Sequence, residues 1–184
     1  MQKVFYKEYF KEMTREQIRY WIYKHRVQLV GSAIFTKGTT LGAKLVVWAE
    51  GWTCKEKGFC PSHTGSIVEK DGETLIFDMK PPRATTQSLE TYLWTTKEDF
   101  VIVLRDFELD TKMFSETVLD HVGQGYPYMS AIRSVFNKRA TQWANHCSEL
   151  HLRKLQMQSL FTDVNAEITP DELLHVFIDN GGAK

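Results

Sequence analysis

The stretch SHTGSIVEKDGETLIFDMKPP, residues 62–82, constrains the fold more than any other part of the chain. Two runs rich in β-forming residues flank Asp71-Gly72, a dipeptide that favours a two-residue hairpin turn. Pro81-Pro82 then ends the second strand, because proline has no N–H to donate to a ladder. The sequence therefore predicts an antiparallel β-hairpin.

Other helix and strand patterns surround this hairpin. Thr14 and Gln17 have capping-box spacing before an amphipathic run, and Thr169-Pro170 supplies an N-cap and a first-turn proline for a last helix. Hydrophobic patterns predict strands over 29–35 and 100–107, helices over 112–122, 128–138 and 145–160, and either element over 42–50. Together these patterns predict an α+β fold, a central antiparallel sheet with packed helices.

Composition indicates one globular domain. The 184 residues are 42% hydrophobic, contain no repeat and show no Gly/Ser/Pro-rich linker. We therefore expect a single domain over 1–184, with an N-terminal helical segment (1–27) and a core (28–178). The 23 Lys and Arg balance the 23 Asp and Glu, so the chain has no net charge that would attract a polyanion. We therefore expect no nucleic-acid partner bound through the overall electrostatic field of the protein.

Location is predicted from three features. No apolar run approaches the ~20 residues that span a bilayer, and the charged N-terminus lacks the apolar region of a secretory signal. Three cysteines are too few for a disulfide framework, although Cys54 and Cys60 could pair and leave Cys147 free. We expect a cytoplasmic protein.

The hairpin places two chemically useful side chains together. If Asp71-Gly72 is the turn, Lys70 pairs with Glu73, and His63 and Asp78 then lie diagonally on one face of the ribbon. A carboxylate beside an imidazole fixes its tautomer and raises its basicity. The alternative is a surface histidine and a surface aspartate at a strand end, and a one-residue slip would separate the pair.

NHCSEL, residues 145–150, offers a candidate nucleophile. With Asn145 as N-cap, Cys147 falls in the first turn of a helix, where the dipole and free N–H groups favour the thiolate. Leu150, Met157 and Phe161 share its helical face, so the thiol should point towards the core and sheet. A buried structural cysteine would give the same pattern.

Joined in space, these parts make a papain-like thiol site, in which the histidine takes the thiol proton and helix N–H groups receive the oxyanion. From residue 31 to 174 the chain also resembles the circularly permuted papain-like cysteine hydrolases of the NlpC superfamily, closest to the YaeF/YiiX-like branch related to lecithin retinol acyltransferase. The resemblance rests on GSAIFTKGTTLGAKLVVWAE, SHTGSIV, IFDMKPP, GQGYPY, NHCSEL and ITPDEL, in that order.

The resemblance implies a permuted papain-like (NlpC-type) fold with three catalytic residues. Cys147 would be the nucleophile, His63 the general base and Asp78 the residue that orients His63, while Glu149 would be a structural hydrogen-bonder. The chain departs from the family pattern at two positions: Thr64 stands where a hydrophobic residue is usual, and Asp78 where glutamate is more frequent.

These features predict a cysteine-dependent acyl-transfer enzyme. The leading version is an amidase or peptidase that hydrolyses a peptide-type amide, with a cell-wall peptide among the candidate substrates. A lipid acyltransferase or thioesterase would use the same site, and a non-catalytic binding or structural protein could keep the fold without turnover. We expect a peptide or acyl-group substrate, no cofactor and no obligate partner.

Three other patterns have structural alternatives. Cys54, Cys60 and His63 form C-x5-C-x2-H, but the spacing is not that of a standard zinc knuckle and no fourth ligand follows, so we expect no metal site. His146 diverges from Cys147 by about 100° on a helix and is expected at the rim. The remaining candidates are aromatic residues that either pack in the core or face a membrane surface or cleft: Phe5, Tyr6, Tyr9, Phe10, Tyr20, Trp21, Tyr23, Trp48, Trp52, Tyr126 and Tyr128.

Overall fold

A computed structural model describes residues 3–38, 59–80, 82–125 and 147–179 of the chain. The strands are β1 (Val4–Tyr6), β2 (Ala33–Lys37), β3 (His63–Lys70), β4 (Glu73–Lys80), β5 (Arg83–Ser88) and β6 (Asp99–Val103). The helices are α1 (Lys7–Phe10), α2 (Arg15–Leu29), α3 (Leu89–Thr95), α4 (Thr111–Leu119), α5 (Cys147–Gln156) and α6 (Pro170–Asp179).

The six strands form one sheet in the order β1-β6-β2-β3-β4-β5, and neighbouring strands are antiparallel throughout. The predicted α+β class with a central antiparallel sheet is confirmed. The N-terminal segment is not only helical as expected, because β1 adds an edge strand beside β6.

The predicted hairpin is confirmed in turn and register. Lys70 pairs with Glu73, and the ladder continues to Ser66 opposite Phe77. Asp71 and Gly72 have φ values of 52° and 79°, the left-handed pair that a two-residue turn of this kind requires. This register sets the positions of the side chains at the far end of β3 and β4.

Helices cover both faces of the sheet. Alternation along each strand sends one set of side chains to each face. The face covered by α4, α5 and α6 buries Phe35, Phe77, Val101, Phe114, Leu150, Leu155, Leu173 and Phe177. The face covered by α1, α2 and α3 buries Phe10, Ile18, Trp21, Ile34, Ile67, Ile76, Leu93 and Ile102. Strand β3 therefore lies inside the sheet with packed layers on both sides.

Both predicted helix starts are confirmed. The Thr14 hydroxyl accepts from the Gln17 N–H at 3.3 Å, and the Gln17 side chain accepts from the Thr14 N–H at 2.7 Å. Thr169 and Glu172 make the same reciprocal pair before α6, at 3.2 and 2.9 Å. Each pair satisfies two backbone donors that a helix start otherwise leaves unpaired.

Two predicted strands have different bounds. The strand expected over 29–35 begins at Ala33, because α2 continues to Leu29 and Gly31, with φ of 85°, turns the chain. The strand expected over 100–107 ends at Val103. Just beyond this end, the buried Arg105 donates to the carbonyls of Val30 and Val27, both at 2.6 Å.

Two predicted helices are shorter than expected. Helix α4 ends at Leu119, and Gly123 follows with φ of 84°. Helix α5 ends at Gln156, because Ser159 and Phe161 adopt φ values of 62° and 53° that no α-helix accommodates. Phe161 therefore lies beyond α5, and the expectation that Met157 shares a buried face with Cys147 is wrong, since Met157 is 54% exposed.

Some predictions fall outside the described residues. These are the element over 42–50, the helix over 128–138, the Asn145 cap, and the placements of His146, Trp48, Trp52, Cys54, Tyr126 and Tyr128. Within the described ranges, no helix has the length and apolar character needed to cross a membrane.

Candidate active site

The hairpin brings His63 and Asp78 into direct contact. His63 begins β3 and Asp78 lies near the end of β4. The His63 Nε2 donates to Asp78 Oδ1, and the two side chains are only 11% and 12% exposed. The diagonal placement predicted from the turn is confirmed, and aspartate is long enough to reach the ring without a bridging group.

Helix α5 brings Cys147 to the same place. Cys147 is half-buried and is the free cysteine of the described residues. Its Sγ accepts a hydrogen bond from the Thr64 backbone N–H at 3.3 Å and is hydrogen-bonded to the His63 side chain. Because Asp78 occupies Nε2, it is Nδ1 of the imidazole that faces the sulfur.

The charges in this group favour an ion pair between the thiolate and the imidazolium. Burial lowers the pKa of His63, but the thiolate of Cys147 and the carboxylate of Asp78 more than offset it and raise that pKa to about 10. Burial raises the pKa of Cys147, whereas His63 and the Thr64 N–H lower it, and the net pKa is below the ordinary value. The cysteine therefore ionises at a lower pH than the one at which His63 loses its proton.

Asp78 has a second partner that the sequence reasoning missed. Its Oδ2 lies 3.2 Å from Lys80 Nζ, and Lys80 donates to Glu98 Oε2 at 2.8 Å. Burial raises the pKa of Asp78, but His63 and Lys80 lower it below the ordinary value. The sequence does contain a pattern that indicates the Lys80 contact, because Lys80 and Asp78 are two residues apart in a strand and therefore share a face. No local pattern points to Glu98, which precedes β6.

The two residues that follow Cys147 in the first turn of α5 make polar contacts, and that of Ser148 reaches outside the helix. The Ser148 hydroxyl donates to the Ile168 carbonyl at 2.6 Å. Glu149 is buried and accepts from the Arg153 guanidinium at 3.0 and 2.6 Å. The resemblance implied a structural hydrogen-bonding role for Glu149, and these contacts fit that role.

Another buried histidine lies one turn after Cys147. His151 is fully buried, its Nδ1 is hydrogen-bonded to Ser66 Oγ at 2.8 Å, and its ring packs between those of Phe114 and Phe177. Burial lowers the pKa of His151 to about 3, and the Gly31 backbone offsets only part of that effect. The sequence reasoning did not single it out, and its ring is hydrogen-bonded to Ser66 rather than to one of the three predicted site residues.

Two of the three possible zinc ligands, Cys60 and His63, lie in the described residues and are engaged elsewhere. Cys60 is disulfide-bonded, so it has no thiolate to offer. His63 uses its ring nitrogens for Asp78 and Cys147. In the ranges that the structure describes, no group of three His, Cys, Asp or Glu side chains is arranged to hold a metal ion.

The N-terminal aromatic residues divide into two sets. Phe10 and Trp21 are buried and, with Phe5, form a cluster of mutually tilted rings. The second set lies on the surface: Tyr6, Tyr9, Tyr20 and Tyr23, with Tyr20 and Tyr23 more than 60% exposed. Core packing therefore accounts for the first set, and Tyr9 of the second set packs its ring against Phe5 and Phe10.

Comparison with known proteins leaves the family open. The chain matches no model of a known protein family, and no curated protein is similar enough to be recognised as a relative. The resemblance to permuted papain-like hydrolases therefore remains a prediction from motifs, and the geometry of Cys147, His63 and Asp78 is the basis for any functional argument.

Proposed function

We propose that this chain is a cysteine-dependent acyl-transfer enzyme whose leading reaction is hydrolysis of a peptide-type amide. The observation that carries the proposal is the continuous contact from the Cys147 sulfur to the His63 imidazole to the Asp78 carboxylate. Thiol, base and orienting acid in that order are the parts of nucleophilic acyl transfer.

The proposed first half-reaction forms a thioester. The thiolate of Cys147 attacks the substrate carbonyl carbon, and the carbonyl electron pair moves to oxygen. His63 donates its Nδ1 proton to the leaving nitrogen as the C–N bond breaks, and the amine departs. Asp78 holds the imidazole in place and stabilises its charged form before that transfer.

The proposed second half-reaction releases the acyl group. Neutral His63 takes a proton from water, and the resulting hydroxide attacks the thioester carbonyl. The C–S bond then breaks, the carboxylic acid leaves, and the thiolate–imidazolium pair is restored. Another acceptor in place of water would give transfer rather than hydrolysis.

The start of α5 supports charge stabilisation in both steps. The first N–H groups of a helix have no partner within the helix, and the helix dipole is positive at that end. Because Cys147 is the first residue of α5, its carbonyl substrate would lie beside those donors. Donors placed where an oxyanion develops are worth about 3–4 kcal/mol each in related sites.

The chain order supports the permuted papain-like fold as part of the same proposal. The strand that carries the histidine comes first, the strand that carries the carboxylate follows, and the helix that carries the cysteine comes near the end. The antiparallel sheet and the two-sided helix packing are compatible with that fold.

The test is the pH dependence of Cys147 alkylation by iodoacetamide, followed by mass spectrometry on the full chain. We expect half-maximal reactivity well below the free-thiol pKa of about 8.5. His63→Ala should return the midpoint to about 8.5 or above and slow alkylation at neutral pH by about a hundredfold or more.

His25→Ala is the matched control, because His25 is also buried but packs against Phe5 and Trp21 away from the site. It should leave the alkylation midpoint in place. An unreactive Cys147, or a midpoint that His63→Ala does not move, would favour a non-catalytic binding protein.

A lipid acyltransferase or thioesterase is the second candidate, favoured by the exposed face of α2. Tyr20, Tyr23 and Val27 are 67%, 63% and 73% exposed, and the Arg26 guanidinium lies 4.7 Å from the Tyr23 ring centre. Tyrosine and arginine together suit a membrane interface. The test is whether the protein floats with anionic liposomes. If it does, and the double variant Tyr20→Ser/Tyr23→Ser does not, a lipid becomes the favoured substrate class.

A further inference from the structure

We propose that Lys80 is a positioning residue for the active site, held between Asp78 and Glu98 so that the Asp78 carboxylate presents one oxygen to His63. The inference rests on the proposed function, and it concerns a residue that acts on the thiol through Asp78 and His63. It extends the site from three residues to five.

The contacts divide the two oxygens of Asp78 between two partners. Oδ1 accepts from His63 Nε2, while Oδ2 lies 3.2 Å from Lys80 Nζ. With both oxygens engaged, the carboxylate has one orientation in which neither contact is lost. A carboxylate with only the Oδ1 contact would be free to rotate about its terminal bond, because that torsion is broad.

Glu98 gives Lys80 its own fixed position. Lys80 Nζ donates to Glu98 Oε2 at 2.8 Å. The Glu98 backbone N–H donates to Thr96 Oγ1 at 3.3 Å, a hydrogen bond within the α3–β6 loop that helps to fix the position of Glu98. The Lys80 side chain is 34% exposed and that of Glu98 25%, so the pair is sheltered more than an ordinary surface ion pair.

In the described part of the structure, Lys80 is the cation that contacts Oδ2 of Asp78. Tyr92 of α3 is buried and close enough to interact, and burial raises the pKa of its phenol. Arg83 lies opposite Lys80 on β5, and its side chain is exposed. Burial lowers the pKa of Lys80, but Asp78 and Glu98 more than offset it, so the ammonium keeps its proton.

Removal of Lys80 should destabilise the thiolate form of Cys147 relative to the thiol in two ways. The Asp78 carboxylate would lose its fixed orientation, which weakens its support of the imidazolium. The site would also become more negative, because Cys147, Asp78 and Glu98 would then be opposed by His63 alone. Both effects raise the pKa of the Cys147 thiol.

The test uses the same iodoacetamide profile on the full chain. Lys80→Met should shift the Cys147 midpoint upward by about half to one pH unit, which slows alkylation below the midpoint about threefold to tenfold. Lys80→Arg should keep the midpoint within about 0.3 units, because it keeps the charge and its donors. Lys70→Met, at an exposed position of β3, is the matched control and should change nothing.

A double variant separates positioning from simple charge. Lys80→Met/Glu98→Gln removes one positive and one negative charge, so the net charge equals that of the wild type while Asp78 still lacks its partner. A midpoint that stays raised supports positioning, whereas a return to the wild-type value would overturn it. Should Lys80→Met not fold, Lys80→Gln takes its place with the same expected shift.

Failure of this inference is distinguishable from failure of the proposed function. A Lys80→Met profile equal to that of the wild type, while His63→Ala still moves the midpoint, would reject the role of Lys80 and leave the thiol site standing. A wild-type midpoint at the ordinary thiol value would reject the proposed function itself.

Discussion

Two successive turns of helix α5 contact the same strand with opposite chemical results. In the first turn, Cys147 meets His63 and the Thr64 N–H at the start of β3. One turn later, His151 meets Ser66 further along β3. Each contact contains a buried imidazole, yet the pKa of His63 is raised to about 10 while that of His151 is lowered to about 3.

The partners of the two rings explain the difference. Both histidines are deprived of water, which on its own favours the neutral ring. His63 faces a carboxylate and a thiol that ionises, so opposite charge outweighs burial. His151 faces a hydroxyl, two phenyl rings and the Gly31 backbone, none of which carries a charge, and burial outweighs the partial offset from Gly31. Burial of a histidine is therefore no sign of function, whereas a buried carboxylate beside it is.

The largest effect in this comparison is expected from removing the charge of Asp78. Asp78→Asn keeps the shape of the side chain but withdraws the anion that stabilises the His63 imidazolium. The pKa of His63 should fall, and loss of the imidazolium should raise the pKa of Cys147. The Asp78 carboxylate itself also raises the pKa of Cys147, so its removal offsets part of this rise, but the effect of His63 is the larger one. We expect a net rise of about one to two units, so alkylation at about pH 6 should slow roughly tenfold to a hundredfold. The iodoacetamide profile measures the Cys147 midpoint and the alkylation rate.

Asp71→Asn is the control for this substitution. Asp71 lies in the hairpin turn at the other end of the same two strands, and asparagine tolerates its φ of 52°. It should leave the alkylation profile unchanged. If Asp78→Asn also left it unchanged, His63 would be a structural histidine of the same kind as His151, and the contrast between the two turns would disappear.

The next effect concerns the stability of the protein in mild acid. The pKa of His151 is depressed by folding, so its contribution to the free energy of unfolding is complete above about pH 6.5 and decreases as the pH falls towards 3. In the variant His151→Gln, the glutamine side chain does not titrate and can keep a hydrogen bond to Ser66. Relative to this variant, the wild type should lose about 2 kcal/mol of stability between about pH 7.5 and pH 5.

Urea unfolding at the two pH values measures this change directly. His121→Gln is the control for replacing a histidine by glutamine. His121 is hydrogen-bonded to Gln124 at the surface, so we expect this variant to change the free energy of unfolding by less than about 0.5 kcal/mol. A constant difference between wild type and His151→Gln would mean that His151 takes up its proton as readily in the folded state as in the unfolded state, which the contacts around it do not support.

The sequence predicts the contact between His63 and Asp78 better than it predicts the position of Cys147. Asp71-Gly72 sets the turn, the turn sets the register, and the register alone brings His63 to Asp78. The position of Cys147 depends on which face of the sheet α5 packs against, and this is decided by Leu150, Leu152 and Leu155. An amphipathic pattern shows that a helix has a buried side but does not identify its partner, and the motif resemblance supplied that step.

Other parts of the site had weaker signals in the sequence. Lys80 follows Asp78 by two residues, so strand periodicity places it on the same face. Glu98 and Ser66 reach their partners through tertiary packing, for which no local spacing exists. The early end of α5 came from residues at positive φ after Gln156, and neither Ser159 nor Phe161 is a residue type that announces such a turn.

The smallest effect should come from Ser66→Ala, which tests whether the two turns of α5 are independent. Ser66 is buried and lies three residues after His63 on β3. Loss of its hydroxyl leaves His151 Nδ1 without that partner, so the free energy of unfolding should fall by about 1–2 kcal/mol. The Cys147 alkylation midpoint should stay within about 0.2 pH units of the wild type, because no charge near the thiol changes.

Ser115→Ala provides the matched measurement, because Ser115 is also buried and its hydroxyl accepts from the Glu69 N–H at 3.0 Å. Both variants should lower stability by a similar amount without altering thiol reactivity. If Ser66→Ala alone shifted the Cys147 midpoint, the contact of His151 with β3 would be holding α5 in the position that the thiol needs. The division of this helix into a reactive first turn and a structural second turn would then have to be abandoned.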